Sequence, residues 1–438
     1  MANRRKARKL SGRRGGAAQR PAPPAGGTGA VAAAPASGGV RGASAVAAAP
    51  ARGVERFRRE PAAPRREPAP KAVFLGFALD ADEREASVRE KRLAWDAGVP
   101  EVDPYTAVLE RLALRHAVPL AWNVGIRELG CVNLPPWLRP MPPASQAESN
   151  SASAYAAFVD AGGCLTAAAM VSGLIEEHVL PDIPCLVTVE HSLTGGAISA
   201  LSAWLGPENL SVVVLDAHTD AIPVSVTAGA IHYDAETNPS SVYSLDDPLL
   251  HERGESYNAS SFLHYLLAQG FILPANLYLL GVADYPPSRA FRLEDPRMAR
   301  YTGAYSHLKK RGVKILTRDD IMVSPGRVDW ELGRITTPYV YVSVDLDVGS
   351  GAALQGVRFR EREGLPPAAL ESLADSLGRL VHTVELAGLD VSELNPRTAG
   401  PGPLAPDDCT YDFACLFLEA LLGERLTETA FEPWKGER

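Results

Sequence analysis

Largely apolar runs that stop abruptly at acidic residues constrain the fold of this chain more than any other feature. Val212–Leu215 ends at Asp216, and Tyr339–Val344 ends at Asp345. Such runs are typical of strands in a parallel sheet that is covered on both faces. Segments of helical character alternate with these strands, so we predict an α/β fold with three layers (αβα) and a mostly parallel central sheet. Further predicted strands are Val73–Phe77, Cys185–Val189, Leu277–Val282 and Leu386–Val391.

The residues that follow the strands include two imidazoles and four carboxylates. They are His191, Asp216, His218, Asp220, Asp345 and Asp347. Side chains at positions i, i+2 and i+4 of an extended segment share one face, and ligands of open α/β sheets bind beyond the carboxyl ends of the strands. Each segment alone is also compatible with a polar strand end or a helix N-cap. Together they favour a site for two ions such as Mn²⁺, Zn²⁺ or Fe²⁺ in a metal-dependent hydrolase.

The same segments resemble the hallmark motifs of the ureohydrolases, the family of arginase and agmatinase. The Asp-Ala-His-x-Asp motif is complete as Asp216–Asp220, the Ser-x-Asp-x-Asp motif as Ser343–Asp347 and the Glu-x-Asn-Pro motif as Glu393–Pro396. The Gly-Gly-Asp-His-Ser motif is retained only in part, with Val189 and Glu190 where Gly and Asp are usual. The resemblance implies an arginase-like fold.

The resemblance also implies a role for each position. Two manganese ions per chain would be bound, with Asp216 and Asp345 bridging them, and Asp220 would accept a hydrogen bond from the attacking hydroxide. The ligands of one ion would be His191, Asp216, Asp220 and Asp345, and those of the other Asp216, His218, Asp345 and Asp347. Glu393 matches the glutamate that binds the substrate guanidinium. Otherwise Glu393 would be a strand-end carboxylate paired with an arginine such as Arg397. The implied reaction is hydrolysis of a guanidino or amidino C–N bond, with release of urea or an analogue.

Two departures from the family pattern concern proton transfer and the substrate. Asn258 stands where the family has a proton-shuttling histidine, and its amide can contact a substrate but cannot deliver a proton. We predict a long loop between Ile222 and Tyr257, in which His232 is the candidate replacement and His251 or solvent the alternative. A lone histidine in a loop can also be merely solvated. Ile222 or its neighbour replaces the asparagine that reads the amino-acid end of arginine in arginases, so we expect another guanidino substrate.

The first 71 residues differ in composition from the rest of the chain. They are rich in Ala, Pro, Gly and Arg and hold 16 basic and 3 acidic residues, whereas the remainder holds 28 and 49. Because such a segment buries too little apolar surface to offset its ordering entropy, we predict a disordered tail over 1–71 and a catalytic domain over 72–438. No aromatic residues interleave with the basic residues at the start of the chain, which favours a solubilising arm over a nucleic-acid partner.

The remaining properties fit an enzyme that acts on a small molecule. No apolar run of about 18 residues or more is present, so we expect no membrane span. The five cysteines lack paired metal spacing, and we expect free thiols, a cytoplasmic location and a homo-oligomer. Two other functions stay open. One is a metal-dependent amide deacetylase with Glu393 in another role, and the other is a non-catalytic binding protein with the same fold.

Overall fold

One sheet of eight strands organises the computed structural model, which describes residues 70–99, 101–116, 125–246, 253–351, 354–360, 364–401 and 405–426. The strands are β1 (Ala72–Phe77), β2 (Ile126–Cys131), β3 (Ile183–Thr188), β4 (Leu210–Leu215), β5 (Leu277–Val282), β6 (Lys314–Thr317), β7 (Tyr339–Asp345) and β8 (Glu385–Ser392). Their order is β2-β1-β3-β8-β7-β4-β5-β6, and every neighbouring pair is parallel. The prediction of a mostly parallel sheet is confirmed.

Helices cover both faces of this sheet. The α-helices of the described residues are α1 (Glu85–Asp96), α2 (Pro104–His116), α3 (Ala152–Asp160), α4 (Gly163–His178), α5 (Thr194–Leu205), α6 (Val224–Thr237), α7 (Phe262–Gln269), α8 (Pro296–Lys310), α9 (Arg318–Val323), α10 (Gly326–Leu332), α11 (Pro367–Val381) and α12 (Thr410–Leu422). Successive strand residues point to opposite faces. On β4, Val213 and Leu215 share a core with α2, α11 and α12, whereas Val212 and Val214 share one with α4, α5 and α7. These are the predicted three layers.

The register of the four central strands aligns their carboxyl ends. Val187 on β3 pairs with Val391 on β8, Val391 pairs with Val344 on β7, and Val344 pairs with Leu215 on β4. These four residues form one row across the sheet. The segments that leave β3, β8, β7 and β4 therefore start at the same level and on neighbouring strands. The ligand segments follow three of these strands, and Glu393 follows the fourth.

The region between Ile222 and Tyr257 differs from the predicted long loop. Its first part forms α6, a helix of 14 residues of which only Val224 is buried. The prediction was wrong because α6 has no broad apolar stripe, which is the usual sequence signal of a surface helix. Its contacts with the rest of the chain include Val226, which packs against the core that contains α4, α5 and α7, and a 2.7 Å ion pair between Arg297 of α8 and Glu236.

Other expectations concern the chain outside the sheet. In the described part, no single helix is long and apolar enough to cross a membrane, whereas the bent pair of α3 and α4 passes on length and composition together. All five cysteines are free thiols, as expected, and Cys131 is exposed. Apart from residues 70 and 71, the predicted tail lies outside the described residues.

Candidate metal centre

Four side chains from three strand ends converge on one point. His191 Nδ1 lies 3.0 Å from Asp220 Oδ2, 3.0 Å from Asp345 Oδ2 and 3.3 Å from Asp216 Oδ2. All four residues are buried, and one ligand atom from each lies within 4.8 Å of the others. The structure thus brings together the four residues that the sequence assigns to one ion.

Asp216 also belongs to a second cluster, with His218 and Asp347. His218 Nδ1 lies 3.0 Å from Asp347 Oδ2 and 3.5 Å from Asp216 Oδ1. Asp216 therefore faces both clusters, which is the position of a bridging ligand. Asp345, the other predicted bridge, falls among the described residues in the first cluster and not in the second, and its Oδ1 accepts a hydrogen bond from the backbone N–H of Asp347 at 2.8 Å.

The negative charges of the carboxylates in the two clusters would be balanced by bound cations. Burial and repulsion by Asp347 and Asp216 raise the pKa of Asp345 well above its usual range. Burial and repulsion by Asp216 do the same to the pKa of Asp220. The Oδ2 atom of Asp216 is buried and accepts no hydrogen bond. Four buried carboxylates and two imidazoles around an unsatisfied oxygen fit two divalent ions of the Mn²⁺, Fe²⁺ or Zn²⁺ type.

A chain of hydrogen bonds orients His191 from behind. Its Nε2 lies 2.9 Å from Ser343 Oγ, and that hydroxyl donates to Asp390 Oδ1 at 3.0 Å. Tyr341 donates its hydroxyl to the other oxygen of Asp390 at 2.8 Å. A metal on Nδ1 requires the proton on Nε2, which then donates to Ser343. Sequence reasoning missed Asp390, although an aspartate inside an otherwise apolar buried strand is a detectable signal.

The loop after β4 is held in an unusual backbone conformation. Asp220 has a positive φ of 48°, and its carbonyl oxygen accepts a hydrogen bond from Leu263 N at 3.0 Å. Asp284 binds Thr219 through both oxygens, accepting from its backbone N at 3.2 Å and its Oγ1 at 2.6 Å. Left-handed backbone at a residue other than glycine costs energy and is commonly found at functional sites. These contacts fix the direction of the two ligands on either side of Thr219.

Glu393 stands at the end of β8, buried and also with a positive φ, of 59°. Its Oε1 accepts hydrogen bonds from His191 N and from Arg358 Nη1, both at 3.1 Å. Burial raises the pKa of Glu393 to about 7, against the opposing effect of the Arg358 guanidinium. Arg397, the partner considered from the sequence, pairs instead with Asp80 at 2.7 Å.

Asn258 lies in the turn that precedes α7. Its Oδ1 accepts hydrogen bonds from the hydroxyls of Ser260 at 2.9 Å and Ser261 at 3.1 Å. The turn itself is tied to the site, because Ala259 N donates to Glu190 Oε1 at 2.9 Å. The amide oxygen of Asn258 is thus engaged within its own turn, and the next residue contacts Glu190.

Two histidines, His232 and His251, are the candidates for proton transfer. His232 lies on α6, where its Nε2 is 3.3 Å from Glu236 Oε1. His251 lies outside the described residues. Proton delivery by His232 therefore stays a prediction.

Arg358 is a site residue that sequence reasoning missed. Its Nη1 donates to Glu190 Oε2 at 2.6 Å, to Glu393 Oε1 at 3.1 Å and to the carbonyl oxygen of Val189 at 3.1 Å. The neighbouring Phe359 packs its ring against the ring edge of His218, with centroids 4.9 Å apart. In the sequence, Arg358 stands two residues before a run of alternating basic and acidic residues, where no local pattern distinguishes it from a solvated charge.

Comparison with known proteins places this geometry in context. The model of the arginase family matches residues 164–402. No curated protein sequence matches the chain significantly. Arginase from Bacillus cereus has a similar structure, with a TM-score of 0.50 and 16% identity over 81% of this chain and 99% of that chain. Proclavaminate amidino hydrolase from Streptomyces clavuligerus gives a TM-score of 0.49 and 19% identity, covering 82% of this chain and 92% of that chain. Formimidoylglutamase from Bacillus subtilis gives a TM-score of 0.47 and 16% identity, covering 82% of this chain and 88% of that chain.

Proposed function

Because this chain belongs to the arginase family, we propose that it is a hydrolase that uses two Mn²⁺ ions to cleave the C–N bond of a guanidino or amidino compound. The observation that carries the proposal is the pair of ligand clusters that share Asp216, one fully buried and the other containing the half-buried His218. Their ligands would be His191, Asp216, His218, Asp220, Asp345 and Asp347. When bound, the ions would supply Lewis-acid activation of water at neutral pH.

The side chains around the centre have separate tasks in this proposal. Asp220 accepts a hydrogen bond from the attacking water and directs it at the amidine carbon. Glu393 receives the N–H groups of the substrate. Among the described residues the donors to Glu393 reach only Oε1, which leaves Oε2 for a substrate N–H. Asn258 is the proposed second substrate contact, and His232 or solvent protonates the leaving amine.

The position of Glu393 favours an amidine over an amide as the substrate. A deacetylase-type hydrolase would be expected to direct a tyrosine or histidine donor at the oxyanion that forms. Tyr257 is buried near the centre, but its hydroxyl donates to the carbonyl oxygen of Ser192 at 2.7 Å. Glu393, by contrast, lies directly against the backbone of His191.

Substitution of Glu393 by glutamine is expected to reduce kcat/KM for guanidino substrates by roughly 10- to 150-fold, since one charge-assisted hydrogen bond is lost. Metal content should stay unchanged. The measurement is colorimetric release of urea from a panel of guanidino compounds by Mn²⁺-loaded protein. Glu385→Gln, an exposed glutamate at the opposite end of β8, is the matched control. If Glu393→Gln equals the parent on every compound that the parent hydrolyses, Glu393 does not bind the substrate.

Substitution of His232 by alanine is expected to slow turnover most for substrates with poorly leaving amines, because those need the proton donor most. The pH profile of kcat should change with it. His382→Ala, at an exposed position after α11, is the control. Equal rates of His232→Ala and parent for all leaving groups would assign protonation of the amine to His251 or to solvent.

The proposal extends to the organisation of the protein. We propose that residues 72–438 form the catalytic domain and that residues 1–71 contribute no ligand to it. A homo-oligomeric state and a cytoplasmic location stay predictions.

A further inference from the structure

A guanidinium group of the chain itself lies against the carboxylate that we propose for substrate binding. The Arg358 side chain is only 7% exposed, and its Nη1 lies between the carboxylates of Glu190 and Glu393. Both carboxylates are also at least 94% buried. Both carboxylates contact the same nitrogen, Nη1, and carboxylates are the common partners of a planar guanidinium. This place is therefore a guanidinium site that is filled in cis.

The backbone of Arg358 is fixed on both sides. Its N–H donates to Glu393 O at 2.9 Å, and its carbonyl oxygen accepts from Arg84 Nη2 at 2.9 Å. The preceding residue, Val357, forms an antiparallel bridge with Leu394. Because the main chain of Arg358 is bound to the segment that carries Glu393, the two side chains are held together as a unit.

The buried charges around this pair cancel. Among the groups that are more than nine-tenths buried, three carboxylates face three cations within ion-pair distance. The carboxylates are Glu190, Glu393 and Asp80, and the cations are Arg358, Arg397 and Lys91. Glu90, which is 24% exposed, lies 3.5 Å from Arg397 and 3.6 Å from Arg360, so Glu90 and Arg360 add one charge of each sign. The four ligand carboxylates would balance two divalent ions. Without Arg358 the group would carry one negative charge, which a single bound guanidinium would neutralise. With Arg358 in place, a second cation meets repulsion that is strong at low effective dielectric.

We infer that Arg358 determines specificity by supplying the cation beside Glu393 from within the chain, so that the centre selects substrates without net positive charge. The inference rests on the proposed function. The substrate class is then an amidine or guanidine whose charge is balanced by a carboxylate of the same molecule. Guanidino compounds that carry a second amine are disfavoured.

A matched pair of substrates tests this selection. We compare kcat/KM for an ω-guanidino acid and an ω-guanidino amine of the same chain length. The parent should prefer the acid, and Arg358→Met should shift the ratio towards the amine by on the order of 10- to 100-fold. Arg379→Met removes an exposed arginine that pairs with the exposed Asp329 and should keep the parent ratio. A parent that prefers the amine, or an unchanged ratio in Arg358→Met, overturns the inference.

A lysine variant separates charge from shape. Arg358→Lys keeps the positive charge but cannot reproduce the planar group. The ratio of kcat/KM for the acid to kcat/KM for the amine should shift less from the parent ratio in Arg358→Lys than in Arg358→Met. If Arg358→Lys shifts as far as Arg358→Met, the charge is not the determinant and the inference is wrong.

A binding measurement tests the filled site without turnover. Guanidinium chloride at about 20 mM, far below denaturing concentrations, should raise the Tm of Arg358→Ala by roughly 1–3 °C relative to the same concentration of KCl. The parent and Arg379→Ala should show no such rise. Equal responses of Arg358→Ala and parent overturn the inference. If guanidinium stabilises Arg358→Ala but no compound is hydrolysed by the parent, the proposed function fails while the filled guanidinium site stands.

Discussion

Substitution of Asp216 by asparagine is expected to remove both metal ions and to reduce turnover by more than about 100-fold. Asp216 is the residue common to both ligand clusters, and one of its oxygens lacks a hydrogen bond. Replacement of groups that only support a metal ligand already costs about 10- to 100-fold in affinity or activity, so loss of a shared ligand should exceed this. Asparagine keeps the volume of the side chain, which limits packing effects. Elemental analysis after loading with Mn²⁺ gives the ion count per chain.

Two further variants provide a comparison for the metal content of Asp216→Asn. His191→Ala should lose mainly one ion, because Asp216, His218 and Asp347 form the second cluster without His191. Asp329→Asn should keep full metal content, because Asp329 is an exposed partner of Arg379. Chelation should lower the Tm of the loaded parent, since ions bound only by the folded state stabilise it, and should leave Asp216→Asn unaffected. Unchanged metal content in Asp216→Asn would remove Asp216 from the site.

The central strands were predictable because both of their faces are buried. Leu277–Val282 is predicted and observed with the same bounds, since a strand covered on both sides is a uniform apolar run. The edge strand β2, of sequence Ile-Arg-Glu-Leu-Gly-Cys, is half exposed and has no such run. Helix α6 escaped prediction for the same reason, because Val224 is the only one of its residues that is buried.

The ligand segments were predictable because each is local in sequence, whereas their supports are not. Glu393 and Arg358 are separated by 35 residues, and Glu190 and Arg358 by 168. Arg397 follows Glu393 closely in sequence, yet the fold directs it to Asp80, 317 residues away. Charge pairing inside a folded chain depends on which loops the sheet brings together. Local patterns in a single sequence do not identify these long-range contacts.

The largest expected effect on stability follows from substitution of Asp80 by asparagine. Asp80 is completely buried, and its carboxylate lies 2.7 Å from Arg397 Nη1, 3.3 Å from Lys91 Nζ and 3.6 Å from Arg358 Nε. Removal of one partner from a buried ion pair leaves uncompensated charge and costs about 3–5 kcal/mol. The free energy of unfolding at pH 7, from urea denaturation, should fall by about this amount.

The pH dependence gives this effect a second readout. Burial alone would raise the pKa of Asp80, but Lys91, Arg397 and Arg358 hold it well below its usual range. A carboxyl group whose pKa is lower in the folded than in the unfolded state stabilises the fold above the unfolded value of about 3.9. That contribution is lost as the pH falls towards the folded value. The difference in unfolding free energy between parent and Asp80→Asn should therefore be full at pH 7 and shrink below pH 4.

Asp329→Asn is the control for burial. Asp329 and Arg379 form an ion pair of 2.8 Å, but their side chains are 47% and 58% exposed. Exposed pairs contribute about 0–1 kcal/mol, so this variant should unfold almost like the parent. If the free energy of unfolding of Asp80→Asn also fell by less than about 1 kcal/mol, the three cations around Asp80 would not need its charge to stay buried. The cancellation of buried charge beside Glu393, on which the role of Arg358 depends, would then be wrong as well.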